Sequence, residues 1–289
     1  MSRTVEVELF AAIRPQGPLG GTVVVATDGT HDADGAVRVG LALAHRDGVS
    51  ASLLSVVEPL RFADDEGTSA TDTERLTRLA IEAREGELGA QRARTHPGRR
   101  VWPFTIHVGD RVEEIVALAE HHGASLIVLG LGSHGVMARL CRRETALRVM
   151  RVARTPVLAV PSDAWGVPHS VLAAIDFTAS SEDAARAALE LLGGTGTLYL
   201  AHVTPRVAVP RGDSRGWGEP AATDVAERVE AVAQRLGVPG GVQLELVSLH
   251  GDPARELIAF ADQHRIDMIA TGAHGRSAIG RLVLGSVST

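Results

Sequence analysis

The 289-residue sequence contains no lysine, so its 29 basic side chains of the Lys/Arg class are all arginines. That excludes a phosphate-binding loop of the Gly-Lys-Ser/Thr type, in which the lysine reaches the terminal phosphates. The single cysteine, Cys141, allows no internal disulfide, and no Cys/His spacing of a zinc site occurs. Aromatic residues make up only 3% of the chain. Acidic residues outnumber basic ones, 35 to 29, for a formal net charge of −6. Arginine pairs stand at Arg99-Arg100 and Arg142-Arg143, but neighbouring acids offset them. The balance argues against a nucleic-acid partner, whose phosphates are usually met by a basic patch. No apolar run approaches the roughly 20 residues that span a bilayer, and the N-terminus lacks a secretory-leader pattern. The expectation is a cytoplasmic protein without a membrane partner.

What is present is apolar bulk, 45% of residues, dominated by Ala, Val and Leu, which suits helices packed tightly on a sheet. Residues 1–21 read as an N-terminal extension, with an alternating segment at Thr4–Phe10 followed by a Pro/Gly-rich linker. From Thr22 onward strands and helices alternate. Strand patterns occur at Thr22–Ala26, Ala51–Val57, Val101–Val108, Ser125–Leu129 and Pro156–Val160, with helical patterns between them. The pattern then restarts, with strands at Ser170–Ile175, Thr197–Val203, Val242–Leu249 and Ile266–Ala270. Such alternation predicts βαβ units and a parallel sheet.

The restart is an internal repeat. Residues 107–130, HVGDRVEEIVALAEHHGASLIVLG, lie over residues 249–272, LHGDPARELIAFADQHRIDMIATG, without a gap. TVVVATD, ending at Asp28, answers SVLAAID, ending at Asp176. The boundaries that follow are 22–162 for a first domain and 168–289 for a second.

The second copy closes on a glycine pattern. Gly272 and Gly275 follow a buried strand, and Gly285-Ser286 comes nine residues later. Backbone N–H groups exposed in this way, with a helix N-terminus behind them, can hold phosphate without a lysine. Upstream stand Gly251-Asp252 and Glu256-Leu257-Ile258. The whole, G-D-x3-E-L-I followed by G-x2-G-x9-G-S, resembles the ATP-binding signature of the universal stress protein family, and the resemblance covers about residues 22–289.

The resemblance implies an α/β fold of two tandem open parallel sheets, Rossmann-like with strand order 3-2-1-4-5. The second sheet would lack its last strand, because Thr289 corresponds to about Val149. It also implies an ATP site, with Mg²⁺, in the second domain. Asp176 would approach the sugar and base, and Val203 would offer backbone bonds to the base. Thr271, Gly272, Gly275, Gly285, Ser286 and Val287 would wrap ribose and phosphates. Arg276 is added from its position alone. Family members commonly join through sheet edges, so a homodimer or a partner protein is expected there. Thr4–Phe10 is a candidate to fill the open edge.

Plainer readings stand beside these. Asp176 also reads as a strand terminator that caps a turn, the glycines as sites of positive φ, and Ser286 as a helix N-cap. His134 and His274 recur at the same turn and read better as backbone partners than as general bases. The first domain keeps Asp28 and Val57, and its turn supplies Gly132 and Gly135. It has Thr145-Ala146 where the second has Gly285-Ser286, with Glu144 in front. This predicts weak ATP binding or none. Its Gly130-Leu-Gly-Ser-His-Gly135 also spells a dinucleotide fingerprint, but the turn follows a fourth strand, not a first, and the repeat accounts for it. The function expected is therefore an ATP-binding regulator of stress response rather than an enzyme, with at most slow hydrolysis. A nucleotide-independent scaffold and an ATP-using transferase are the alternatives.

Overall fold

A computed structural model describes residues 18–59, 70–96, 103–131, 145–205 and 222–272. The chain divides into two compact units, one up to Gly166 and one from Val167. The expected strand Thr4–Phe10 lies outside the described residues.

The first unit begins with β1 (Val23–Ala26), a turn of 3-10 helix (His31–Ala33) and α1 (Asp34–Asp47). It continues with β2 (Ala51–Val57), α2 (Ala70–Thr95), β3 (Phe104–Val108) and α3 (Arg111–His121). β4 (Leu126–Gly130), a helix over 145–152 (α4) and β5 (Val157–Val160) complete it. Every pairing is parallel, in the order β3-β2-β1-β4-β5. The second unit repeats this with β6 (Ser170–Ala174), α5 (Ala179–Leu192), β7 (Gly196–Thr204) and α6 (Ala222–Leu236). β8 (Val242–His250), α7 (Pro253–His264) and β9 (Met268–Ala270) follow. Its four described strands are also parallel, in the order β8-β7-β6-β9. The expected order is thus observed over five strands in one unit and over four in the other.

Parallel strands joined by helical crossovers are covered on both faces, which is why β1 is an unbroken valine run with Val23, Val24 and Val25 all at 0% exposure. Val24, Leu54 and Ile127 pack on one face against Val112 and Ile115 of α3 and Val149 of α4. Val57 and Ile106 pack with Leu88 of α2 in a separate cluster. In the second unit Leu172, Ala201 and Ile269 pack against Leu257 and Ala261 of α7. Each such fully buried Val or Leu contributes about 1.5–3 kcal/mol from area removed from water.

Local chemistry sets the helix ends. α1 and α5 stop at Gly48 and Gly193, both left-handed (φ 65° and 67°). α3 and α7 start at aspartates: Asp110 accepts from the N–H groups of Val112 and Glu113, and Asp252 from that of Arg255. No described helix is long and apolar enough to cross a membrane.

Candidate functional site

In each unit the strand order reverses between the first and fourth strands: β1 pairs with β4, and β6 with β9. Crossovers leave these neighbours toward opposite sides, so a crevice opens beyond their carboxyl ends. Asp28 and Asp176 stand two residues past β1 and β6, and Thr271-Gly272 directly follow β9.

The two aspartates build the same turn. Oδ1 of Asp28 accepts the Thr30 N–H (3.1 Å) and the Thr30 hydroxyl (2.6 Å). Oδ1 of Asp176 accepts the Thr178 N–H and hydroxyl at the same distances, 3.1 and 2.6 Å. Burial works to raise the Asp176 carboxyl, but the Thr178 hydroxyl, the Thr178 N–H and the Ser181 hydroxyl outweigh it and hold it below the usual carboxylate range. The turn-capping and ligand-facing readings of Asp176 are compatible, since the local bonds occupy one oxygen and favour the ionised form. The sequence reading missed the threonines; the signal was Asp-x-Thr in both copies.

The residue between them takes positive φ in both turns, Gly29 at 77° and Phe177 at 64°. A Cβ on Gly29 would come within 2.7 Å of Glu87 Cβ on α2. The second unit replaces this close approach with a stack. The Phe177 ring lies 4.6 Å from the His202 ring, and the Arg228 guanidinium sits 3.9 Å above Phe177.

Strand parity decides which valine faces the crevice. The Ala201 carbonyl accepts the Ile175 N–H (2.8 Å), so Val203, two residues on, turns its backbone to the same side, past the end of β6. In β2 the Leu54 carbonyl accepts the Thr27 N–H (2.8 Å), which gives that position to Val56. The Val57 carbonyl instead accepts from Gly109 (3.1 Å), and its side chain packs with Leu88 and Ile106 on the other face. The expectation of Val57 in the crevice is corrected by one residue: a one-residue step along a strand reverses both side chain and backbone direction.

Gly272 is held by close approach. A Cβ there would lie 2.8 Å from Ser180 C, Ser180 Oγ and Ser181 N, at the start of α5. The Thr271 hydroxyl is buried and has no hydrogen-bond partner among the described residues. The upstream Gly-Asp-x3-Glu segments are helix starts in both units. The aspartate caps α3 or α7, and the glycine leaves room for the glutamate, whose Oε1 would be 2.6 Å from a Cβ at Gly109 or Gly251.

The two units diverge beside the crevice. Arg94 bonds Asp34 through Nε (3.1 Å), and Arg235 bonds Glu182 through Nε (3.2 Å), which aligns α2 with α6. On that alignment Gln91, 1% exposed, corresponds to Val232. Gln91 accepts from the Thr27 hydroxyl (2.8 Å) and donates to Asp34 (3.0 Å) and to the Thr30 carbonyl (3.2 Å), so α2 grips the Asp28 turn. The second unit has Ile175 and Val232 in place of that Thr27–Gln91 pair.

A cavity of about 270 Å³ opens over the first unit's crevice. Leu54, Val56, Ile115 and Leu129 give it an apolar floor, and Asp28, Asp32, Arg84, Arg111 and Thr145 a polar rim. Of the expected site residues, Asp28, Asp176, Val203, Thr271 and Gly272 stand at the crevices, whereas Gly132, Gly135, Gly275, Arg276, Gly285, Ser286 and Val287 lie outside the described residues. Among the described residues no three His, Cys, Asp or Glu side chains gather as a metal site.

This tandem of open parallel sheets, each with an aspartate turn at its switch point, defines a protein of the open, Rossmann-like α/β class of folds. The family model described as Universal stress protein family matches residues 21–161 and 168–289, and the chain belongs to that family. Universal stress proteins Rv2005c of Mycobacterium tuberculosis and Mb2028c of Mycobacterium bovis are each 26% identical to it over 282 residues, covering 92% of this chain and 91% of the relative. Among solved structures, a universal stress protein from Archaeoglobus fulgidus is similar in fold, with a TM-score of 0.57 at 18% identity, covering 94% of this chain and 92% of that one.

Proposed function

We propose that the chain is an ATP-binding regulator of stress response, with its nucleotide held in the second unit. The observation that carries this is the Thr271 hydroxyl: it is buried and has no partner among the described residues, directly after the strand that pairs with β6 ahead of the Asp176 turn. An orphaned buried hydroxyl costs about 1–3 kcal/mol, which a ligand's ribose or phosphate oxygen would recover. Asp176, ionised and oriented by Thr178, would take the ribose hydroxyls. The Val203 backbone would meet the base. Thr271, Gly272, Gly275, Gly285, Ser286 and Val287 would hold ribose and phosphates, and Arg276 would add charge. Mg²⁺ would arrive with the phosphates. ATP is read here as a regulatory ligand with at most slow hydrolysis, acting in the cytoplasm, in a homodimer or with a partner protein.

Calorimetric titration of ATP with Mg²⁺ into the chain and into Gly285→Asp tests this reading. Saturable binding that the substitution abolishes is the expected result. No binding to the unmodified chain would overturn it in favour of a nucleotide-independent scaffold. Turnover that depends on Asp176 or His274 would instead make it an enzyme.

A further inference from the structure

The rim of the first unit's cavity carries two arginines whose corresponding positions in the second unit are uncharged. Arg84 projects from α2 and Arg111 from the first turn of α3, and both line the cavity with Asp28. The corresponding positions are Val225, by the Arg94–Arg235 alignment, and Pro253, which follows the capping aspartate of α7 as Arg111 follows that of α3. Arg84 commits Nε to Glu87 (2.9 Å) and Nη1 to the Ser55 hydroxyl (2.8 Å), and Arg111 commits Nη2 to Glu58 (2.7 Å). A guanidinium has five N–H donors, so each retains donors for a ligand.

The part of the lining formed by Thr145 and Ala146 is the poorer place for an anion. These two stand where the second copy has Gly285-Ser286. Thr145 puts a side chain where the second copy has a bare glycine, and Ala146 lacks the hydroxyl of Ser286. The cavity's cationic lining is therefore Arg84 of α2 and Arg111 of α3. Its volume of about 270 Å³ is near the lower end of small-molecule sites.

We propose that the first unit binds a small hydroxylated phosphate monoester of the sugar-phosphate kind. Its phosphate would meet Arg84 and Arg111, its hydroxyls would donate to Asp28, and its carbon skeleton would lie over Leu54 and Val56. Guanidinium–phosphate pairing is charge-assisted and can be bidentate, and so supplies the affinity that the missing amide nest cannot. The proposal is independent of ATP binding in the second unit.

The test is calorimetric titration of the full chain with ribose 5-phosphate, and with ribose as the neutral probe. The variants are Arg84→Gln, Arg111→Gln, the double substitution, and Gly285→Asp as a second-unit control. The expected results are saturable binding of ribose 5-phosphate, a several-fold loss in each single variant and at least a tenfold loss in the double. Gly285→Asp should leave it unchanged, and ribose should bind at least tenfold more weakly. Glutamine keeps a donor for Ser55, and thermal melting checks that each variant folds; if the double does not, the two single variants decide. The proposal is overturned if ribose 5-phosphate does not bind, if the arginine variants bind it as the unmodified chain does, if ribose binds equally well, or if Gly285→Asp removes binding.

Discussion

Gly272→Ala is a sharp probe of the second unit, because one methyl group meets the element that organises the candidate site. The added Cβ would lie 2.8 Å from three atoms of Ser180 and Ser181, two of them backbone. Ordinary contact begins near 3.4 Å, so the start of α5 must retreat by about 0.6 Å. That helix start is bonded to the aspartate turn. Ser181 Oγ donates to the Thr178 carbonyl (2.9 Å) and accepts the Asp176 N–H (3.3 Å), and the Thr178 hydroxyl bonds Asp176. Overpacking of this kind costs about 1–3 kcal/mol, and about 2 kcal/mol is expected here. The matching substitution, Gly130→Ala, is the control: its Cβ meets Ala33 Cα at 3.1 Å and the Asp32 carbonyl at 3.2 Å. A shift of a few tenths of an ångström relieves it, for a cost under about 1 kcal/mol. Hydrogen exchange read by mass spectrometry reports each unit separately. Gly272→Ala should lower protection in β6 and β9 by more than Gly130→Ala lowers it in β1 and β4. It should also weaken ATP binding at least tenfold, about 1.4 kcal/mol. Equal protection losses in the two variants, or a smaller loss for Gly272→Ala, would refute the steric reasoning.

Two further substitutions separate structural from ligand-facing roles. Thr271→Val keeps the shape and removes the unpartnered hydroxyl, so it should stabilise the ligand-free second unit by about 1 kcal/mol while weakening ATP about fivefold; a stability gain with unchanged ATP affinity would remove Thr271 from the site. The depressed Asp176 carboxyl adds stability that is complete above the unfolded value of about 3.9 and is lost as pH falls through the folded value. Acid-unfolding curves of the second unit should therefore differ most between wild type and Asp176→Asn at neutral pH and converge in acid, and curves that stay parallel would count against that role.

Much of this protein is written locally. The strand–helix alternation and the repeat are legible in the chain, because period and turn chemistry act over a few residues. The parallel order of the sheets follows from the repeat and the family resemblance, and the tertiary structure bears it out over nine strands. Gly-Asp-x3-Glu was equally visible, but its meaning was not: the glycine leaves room for a glutamate that folds back onto it.

What tertiary structure alone decided depends on which elements meet. Val56 rather than Val57 faces the first crevice, because register and parity are set by pairing with β1 and β3. Arg84 and Arg111, 27 positions apart in sequence, reach one cavity from two different helices, a juxtaposition that no local pattern encodes. Gln91 looks like one more polar residue of a charged helix, yet at 1% exposure it holds the Asp28 turn. The sequence determined which elements form and, through the repeat, how they are ordered. The packing of those elements determined which polar groups are left facing a crevice, because burial and the loss of water partners exist only once helices lie on the sheet.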